Sequence, residues 1–434
     1  MTISSSMNAG VSGLNANANS LSTISDNIAN SQTYGYKRAQ TDFSAVVIHG
    51  ETQTSYTAGG VRTTSMRLIE ERGSLIATSN PTDLAIDGRG FLPVTSISAM
   101  NNASGPLPIS LVTTGSFRPD SDGVLRTENG QVLMGWPAEP DGTISGYPRD
   151  SMSGLEPVVI DKNQYVSNPT TRMELGINLP ATSTMAGADG APWETSVEYF
   201  GNLGTSESLT YSFIPSVPAS GASNTWTMQI LDSASGGGVV GEYTMVFDDS
   251  AGAAGTLASI TTVTGQDYDP VTGQIPVVVS GGTIQSDIGM IGVSSGITQL
   301  SSTFDPVGVA KNGSPVATLV SVEIDDSGYL HAMYDQGFTR VIYQLPVVDV
   351  PNPNGLISLN NQAYQVSPAS GPFYLWDAGD GPTGSVVGFS REESSTDVAG
   401  ELTQLITTQR AYSSCAKVIQ TVDEMLQETT NIKR

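Results

Sequence analysis

The sequence holds few residue patterns that could support catalysis or ligand binding. Residues 236–241 read Gly-Gly-Gly-Val-Val-Gly and match the glycine spacing of dinucleotide-binding loops. That mechanism needs a helix after the loop, whose amide groups bind the pyrophosphate. Residues 242–247, Glu-Tyr-Thr-Met-Val-Phe, instead predict a β-strand. The glycine run therefore does not indicate a nucleotide site.

Two short acidic motifs have some features of calcium-binding loops. Residues 120–125 read Asp-Ser-Asp-Gly-Val-Leu, and residues 325–330 read Asp-Asp-Ser-Gly-Tyr-Leu. Neither continues to an acid at the twelfth position, and each glycine comes too early for that motif. Both lie between strand-like runs, where glycine supplies a positive φ, so they predict β-hairpin turns.

Other chemically active residue types are scarce. His49 and His331 have no carboxylate or second histidine at ligand spacing, and Cys415 lies within an apolar helical pattern that is typical of a packing residue. No nucleophile-elbow motif is present, and no single pair of carboxylates stands out. We therefore predict no catalytic residue, no cofactor and no metal site, and we expect that the protein is not an enzyme.

The charge balance excludes several classes of partner. The chain has 434 residues, enough for two or three domains, and its 42 acidic residues against 18 Lys and Arg give a net charge of −24. Such a chain repels nucleic acid phosphates and anionic lipids, so we expect no nucleic acid partner. No apolar run reaches the ~18–20 residues that span a bilayer, so we expect no membrane insertion. Residues 1–36 carry one charge, on Asp26, and lack the positive start of a cleavable secretory signal.

Both ends of the chain have the periodicity of long helices. Apolar residues recur every seven positions from Met7 to Ile28 and from Val398 to Leu426. An ordinary amphipathic helix packed on its own domain is one interpretation. The polar faces are, however, Ser, Asn, Thr and Gln with few charges, which favours burial between other helices. We predict that these ends become ordered on self-assembly, through Met7, Val11, Leu14, Leu21, Ile24, Ile28, Leu402, Leu405, Tyr412, Ile419, Val422 and Leu426.

The middle of the chain predicts β-structure, in which β-branched and aromatic runs alternate with Gly, Pro, Asp and Ser. The recurrence of the Asp-Gly turn motif on both sides of the centre indicates one domain split by an insertion. Residues 173–310 contain no Lys or Arg but thirteen acids, which suits a solvent-facing domain, although compositional drift would give the same pattern. We predict helical ends at 1–30 and 398–434, an extended linker at 31–75, a split inner β domain at 76–150 and 297–397, and an inserted acidic outer β domain at 151–296.

Several motifs resemble those of a known family, the bacterial flagellar axial proteins, which comprise rod, hook and hook-associated subunits. The resemblance covers both termini and both halves of the split domain. It rests on residues 11–16 (Val-Ser-Gly-Leu-Asn-Ala), 24–30 (Ile-Ser-Asp-Asn-Ile-Ala-Asn), 33–38 (Thr-Tyr-Gly-Tyr-Lys-Arg), 82–91 (Thr-Asp-Leu-Ala-Ile-Asp-Gly-Arg-Gly-Phe), 352–356 (Asn-Pro-Asn-Gly-Leu) and 409–412 (Gln-Arg-Ala-Tyr).

Within this family the middle of the chain is similar to the hook subunits. Distal-rod subunits lack a large insertion, whereas residues 198–206, Glu-Tyr-Phe-Gly-Asn-Leu-Gly-Thr-Ser, resemble a motif of the hook's outer domain. The chain departs from the hook pattern at residues 111–114, which lack an arginine, at residues 390–397, and at Cys415, which replaces an asparagine.

The resemblance implies a fold and a function. The fold would be a mainly β multi-domain protein, with a split β domain and an inserted outer β domain, and with long terminal α-helices that form a coiled-coil inner domain. The protein would be a structural subunit of the flagellar hook. It would self-assemble into a flexible helical tube that acts as a universal joint, transmits motor torque to the filament and encloses the export channel.

The same resemblance implies partners and a location. The partners would be further copies of the chain, the distal rod protein, the hook cap and the hook–filament junction proteins. Export through the flagellar type III apparatus would place the chain in the flagellar basal body and hook, outside the cell. Early substrates of that apparatus share a phenylalanine followed four residues later by an aliphatic residue, and Phe43 and Val47 have this spacing.

Two alternatives stay open from the sequence. Another axial subunit, from the distal rod or the hook–filament junction, would share the terminal motifs. A β-rich surface adhesin would share the acidic centre but would not need two terminal heptad patterns.

Overall fold

The computed structural model describes residues 3–47, 58–102, 105, 107–161 and 165–432. The chain divides into two compact units. The terminal unit comprises Met1–Lys162, Ser321–Met333 and Thr339–Arg434, and the central unit comprises Asn163–Val320 and Tyr334–Phe338.

Long helices occupy both ends of the described chain, as the heptad patterns predicted. Helix α1 spans Ile3–Ala29, the short helix α2 spans Ile97–Asn102, and α3 spans Val398–Ile432. At the start of α3, Oδ1 of Asp397 accepts a hydrogen bond from the Ala399 amide at 3.1 Å, which is an N-cap contact. Among the described residues, no helix is long and apolar enough to cross a membrane.

A β-hairpin lies in the segment 31–75, where we expected an extended linker. Strand β1 (Ala39–Ala45) pairs antiparallel with β2 (Val61–Arg67), and their side chains are mostly polar and half-buried or exposed. Polar contacts hold the hairpin against α1. The Asn19 side-chain amide lies 3.0 Å from the Thr63 hydroxyl, and the Thr23 and Thr41 hydroxyls lie 2.9 Å apart. Because the hairpin has no alternating apolar face, hydrophobic periodicity does not reveal it.

The rest of the terminal unit is an assembly of short strands from both sides of the central unit's sequence. These strands are β3 (Leu75–Ala77), β4 (Asp83–Asp87), β5 (Leu92–Ser96), β6 (Ser110–Val112), β7 (Thr114–Ser116), β8 (Arg118–Pro119), β9 (Leu125–Arg126), β10 (Gln131–Pro137), β11 (Glu156–Pro157), β25 (Thr339–Gln344), β26 (Val347–Asp349), β27 (Ile357–Ser358), β28 (Tyr364–Gln365), β29 (Tyr374–Trp376), β30 (Ser385–Val387) and β31 (Ser390–Glu392).

The largest group of these strands is centred on β10. Strand β10 pairs with β5, β9, β11 and β25, and β5 is connected through β6 and β28 to β27. Smaller pairings join β8 to β9, β3 to β31, β26 to β29, and β4 to β7 and β30.

The central unit contains two five-stranded sheets. The strands of this unit are β12 (Tyr165–Asn168), β13 (Arg172–Leu179), β14 (Trp193–Phe200), β15 (Ser206–Pro215), β16 (Thr225–Asp232), β17 (Gly238–Phe247), β18 (Leu257–Thr264), β19 (Gln274–Val279), β20 (Gly282–Asp287), β21 (Ile297–Gln299) and β22 (Asp305–Lys311). One sheet is antiparallel, in the order β14-β15-β16-β17-β18, and the other has the order β19-β20-β13-β21 with β22 paired to β13. Strands β23 (Ser314–Ile324) and β24 (Tyr329–Tyr334) each contain residues of both units.

Each unit has its own core. In the central unit every second residue of β16 is buried, so Trp226, Met228 and Ile230 pack in one cluster with Tyr211 and Phe213. This alternation is what a strand with one covered face requires. In the terminal unit one cluster contains the buried side chains of Phe91, Trp136, Tyr364 and Leu375.

The boundaries of the central unit differ from those we expected for the inserted domain. It begins at Asn163 instead of residue 151, and it continues to Val320 instead of residue 296. The extension follows from hydrogen bonding, because β21 pairs parallel and β22 antiparallel with β13. Residues 151–161 belong instead to the terminal unit, where the Val158 amide donates to the Leu133 carbonyl at 2.9 Å.

Candidate functional site

The two terminal helices pack antiparallel along a seam in which small and polar residues lie beside apolar ones. A methyl group placed on Gly10 would lie 3.1 Å from the side chain of Ile419, and one on Gly13 would lie 3.0 Å from the sulfur of Cys415. Further along α1, the Asn27 amide donates to Glu401 at 2.9 Å. Glycine therefore allows close approach at one end of the pairing, and a buried polar bond joins the helices at the other.

The predicted assembly residues divide into three groups. Ile24 and Val422 are buried within the single chain, at 2% and 7% exposure. Leu14, Leu21, Ile28, Leu405 and Ile419 are half-buried. The exposed members are Met7, Val11, Leu402, Tyr412 and Leu426.

Other large apolar residues on α3 are exposed but were absent from the prediction. They include Ile406, Val418 and Met425, with 51%, 47% and 53% of each residue accessible. At 3.6 residues per turn, Leu402 and Ile406 project on one side of the seam and Val418 and Met425 on the other. A single copy thus leaves apolar surface on both flanks of its helix pair. A count of all apolar positions, and not only those in the heptad, would have found these residues.

A buried ion pair joins the segment after α1 to the strand before α3. The Lys37 Nζ lies 2.6 Å from Oε1 of Glu392, and the two side chains are 1% and 2% exposed. The ammonium also donates to the Glu71 carbonyl at 2.8 Å, and the Gly73 amide donates to the same glutamate oxygen at 2.9 Å. Burial lowers the pKa of Lys37, whereas the Glu392 carboxylate acts in the opposite direction.

A second polar cluster lies at the C-terminal end of α1. The Tyr36 hydroxyl lies 2.9 Å from Oδ2 of Asp26 and 3.1 Å from Oδ1 of Asn27, and the Arg67 guanidinium sits 5.0 Å from the Tyr36 ring centre. Burial, followed by the hydrogen bond to Asp26, raises the pKa of Tyr36 to about 12. The Asn27 side chain also bonds both backbone groups of Ala39, so it connects α1 to β1 as well as to α3.

Phe43 and Val47, the candidate export residues, are both accessible. Phe43 lies in β1 opposite Thr63 and is 50% exposed. Val47 follows the strand and is 70% exposed.

The motifs and residues that could support catalysis or metal binding lie in strands, turns and helix contacts, except His49, which lies outside the described residues. Residues 242–247 lie in strand β17, as their sequence predicted. Asp120 accepts hydrogen bonds from two backbone amides of its own turn at 3.0 Å each, and Asp325 does the same at 3.0 and 2.8 Å. His331 contacts Asp325 at 3.0 Å, and Cys415 lies against α1. Among the described residues, no group of three or more His, Cys, Asp or Glu side chains is placed to hold a metal ion.

Comparison with known proteins identifies the ends of the chain first. The family described as "Flagella basal body rod protein" matches residues 7–37, and "Flagellar basal body rod FlgEFG protein C-terminal" matches residues 388–432. The flagellar hook protein of Brucella suis is 31% identical, over 100% of both chains. The chain belongs to the flagellar hook protein family. It is a structural subunit of the bacterial flagellar hook, as the sequence motifs predicted.

Two further relatives are also described as flagellar hook proteins. The flagellar hook protein of Caulobacter vibrioides is 27% identical over 100% of both chains, and that of Escherichia coli is 25% identical over 98% of both. A crystal structure of the Helicobacter pylori hook protein FlgE2 aligns with a TM-score of 0.45 at 12% identity, covering 72% of this chain and 98% of that one.

The two segments matched by the family models meet in the fold of this hook protein. One contains most of α1 together with Lys37, and the other contains Glu392 and α3. The ion pair and the helix seam therefore unite the two family-defining stretches.

Proposed function

We propose that this hook subunit self-assembles through its terminal helices, which pair as the coiled-coil inner domain of a helical tube. The single observation that carries this proposal is the apolar surface left on both flanks of the α1–α3 seam. Leu402 and Ile406 flank one side, Val418 and Met425 the other, and each is 46–53% exposed. Isolated surface helices rarely leave so many large apolar residues in water. Neighbouring copies of the same helix pair would cover them.

The seam itself supports the same assignment of roles. The contact within one chain uses Gly10, Gly13, Cys415 and the Asn27–Glu401 bond together with some apolar side chains, because Ile24 and Val422 are buried and Ile419 lies against Gly10. The apolar side chains that stay exposed remain for contacts between copies. Burial of apolar area on both sides then supplies most of the free energy of assembly.

The tube would have further properties that follow from this arrangement. The helical ends 1–30 and 398–434 would line its interior and enclose the export channel. The split β domain and the inserted acidic β domain would form the outer layers of a flexible joint that transmits torque to the filament. At its ends the tube would meet the distal rod protein, the hook cap and the hook–filament junction proteins.

Export would use the flagellar type III apparatus. Phe43 and Val47 are the candidate recognition residues, and their exposure of 50% and 70% makes them accessible without loss of a core contact.

Substitution on the helix flanks tests the assembly proposal. Leu402→Gln should abolish or severely shorten hooks, because it places a polar amide in the apolar contact between copies. Leu203→Gln is the matched control, since Leu203 is 84% exposed in the central unit. Both variants are introduced into the native gene, and hooks are counted by electron microscopy. Normal hooks from Leu402→Gln would place assembly elsewhere in the chain.

A further inference from the structure

A cationic cleft lies in the terminal unit, away from the helix seam. It has a volume of about 240 Å³. Strand β7, the turn before β10, the loop at Asn361 and strand β31 enclose it. Its lining side chains include Tyr34, Arg118, Glu128, Gln131 and Arg391.

Arg391 is held in place within this cleft but lacks a charged partner. Its guanidinium carbon sits 3.8 Å from the ring centre of Tyr34, a stacked cation–π contact. Its Nε is buried, and no described residue accepts a hydrogen bond from it. A buried donor without an acceptor is costly. Because this Nε is enclosed by its own chain, a docking carboxylate would meet the two outer nitrogens of the guanidinium.

Arg118, at the exposed side of the same cleft, also has no acidic partner. No carboxylate among the described residues lies within 4.0 Å of Arg118 or Arg391, although Glu128 stands in the cleft lining. Arg62, Arg72, Arg340 and Arg410 share this lack of an acid within 4.0 Å among the described residues, so the cleft is distinguished by its two guanidinium groups in one cavity and by the stacking of Arg391 on Tyr34. Six other arginines contact an acid of their own chain: Arg38, Arg67, Arg89, Arg126, Arg149 and Arg172.

The chemistry of the cleft selects for a carboxylate. Guanidinium groups bind planar carboxylates through paired hydrogen bonds, and a guanidinium stacked on an aromatic ring is already oriented for this. A second copy of this chain supplies such groups in excess, because it has 42 acids against 18 Lys and Arg. The cleft is thus complementary in charge to the surface of its own copies.

We propose that the Arg391–Arg118 cleft receives a carboxylate side chain from a second copy of this chain and thereby forms a contact between subunits in the hook. This inference rests on the proposed self-assembly. It assigns a polar, orientation-specific contact in the β-rich part of the terminal unit, in addition to the apolar contacts of the helices.

The test uses hooks isolated from cells that carry Arg391→Gln, Arg118→Gln or the control Arg340→Gln in the native gene. Arg340 lies in β25, outside the cleft, so its replacement makes the same charge change elsewhere. We expect Arg391→Gln hooks to release about tenfold more soluble subunit on mild heating than wild-type or Arg340→Gln hooks, the order expected for one charge-assisted contact. Arg118→Gln should have a smaller effect of the same sign, and Arg391→Lys an intermediate one.

Three results would overturn the inference. One is Arg391→Gln hooks as stable as those with Arg340→Gln. Another is a soluble Arg391→Gln subunit that unfolds more readily than wild type, combined with Arg118→Gln hooks like wild type, since Arg391 would then act within its own chain. The third is wild-type subunit that forms no hooks, which would remove the proposed assembly as well.

Discussion

The Lys37 Nζ lies 2.6 Å from Oε1 of Glu392, although 355 positions separate the two residues in the sequence. Both groups are almost fully buried, so each charge depends on the other. The pair sits where the chain leaves α1 and where it prepares to enter α3. It therefore fixes the placement of these two segments relative to each other.

Removal of one partner should be strongly destabilising. Lys37→Met leaves Glu392 buried without a cation, and we expect a loss of about 3–5 kcal/mol in the free energy of unfolding. The double variant Lys37→Met/Glu392→Gln should lose less of the free energy of unfolding, because the glutamine can still accept the hydrogen bond from the Gly73 amide. Urea unfolding of the soluble subunit measures both.

An exposed ion pair provides the control for this substitution. Lys311 contacts Glu198 at 2.8 Å, but the side chains are 25% and 52% exposed. Lys311→Met should therefore cost no more than about 1 kcal/mol. Equal losses from Lys37→Met and Lys311→Met would contradict the importance of burial.

The raised pKa of Tyr36, about 12 against an ordinary value of 10.0, predicts a pH effect. The folded chain holds this proton more tightly than the unfolded chain does. The resulting stability is complete below pH 10 and is lost as the pH rises from about 10 to about 12. Tyr36→Phe should make the unfolding free energy fall less steeply over this interval. Urea unfolding at several pH values tests this, and an unchanged slope in Tyr36→Phe would refute it.

Close approach at Gly13 predicts sensitivity to side-chain size. A leucine there would collide with Cys415, because even a methyl group would lie 3.0 Å from the sulfur. Gly13→Leu should destabilise the helix pair by about 1–3 kcal/mol. Thermal unfolding followed by helical circular dichroism measures the change.

Two further variants show whether space at the seam is the cause. Ala18→Leu changes an exposed position of the same helix and should alter stability by less than about 0.5 kcal/mol. In a Cys415→Ala background, Gly13→Ala should be neutral or stabilising by up to about 1 kcal/mol, because alanine favours helix more than glycine does. A destabilised double variant would argue against the steric explanation.

Export should depend on Phe43. Phe43→Ala removes a ring that is 50% exposed, so it should reduce secretion of the subunit while leaving its folding intact. Phe389→Ala is the matched control, because the Phe389 ring is 39% exposed and lies in the C-terminal part of the chain, far in sequence from the candidate export residues. Immunoblots of culture supernatant and cell pellet measure secretion. Equal secretion of both variants would remove Phe43 from the export signal.

The sequence predicts much of this fold because its strongest signals are local. Heptad spacing predicts α1 and α3 nearly to their ends, since both helices are long and lack internal proline. The two Asp-Gly turns follow from residue types alone, because Asp120 and Asp325 bond their own turns and the glycines have φ of 82° and 80°.

The parts of the fold that differ from the sequence prediction depend on contacts between residues that are distant along the chain. The β1–β2 hairpin is held by polar bonds to α1, and the extension of the central unit to Val320 depends on pairing with β13. The helix seam also uses Gly13, which a search for large apolar residues overlooks, whereas the packing role of Cys415 was predicted. Met7, Val11 and Leu402 are exposed in the single chain, although their spacing fits a seam.

The pairing of strands across the terminal unit has a consequence for the order in which the protein folds. Strand β3 pairs with β31, β4 pairs with β30, and Lys37 pairs with Glu392. Residues that are synthesised early therefore cannot form these contacts until residues near the C-terminus have been synthesised. Such high contact order slows folding, because long loops must close before native contacts form. The central unit, by contrast, comes almost entirely from the continuous stretch 163–320. On the ribosome it can fold while the terminal unit is still incomplete.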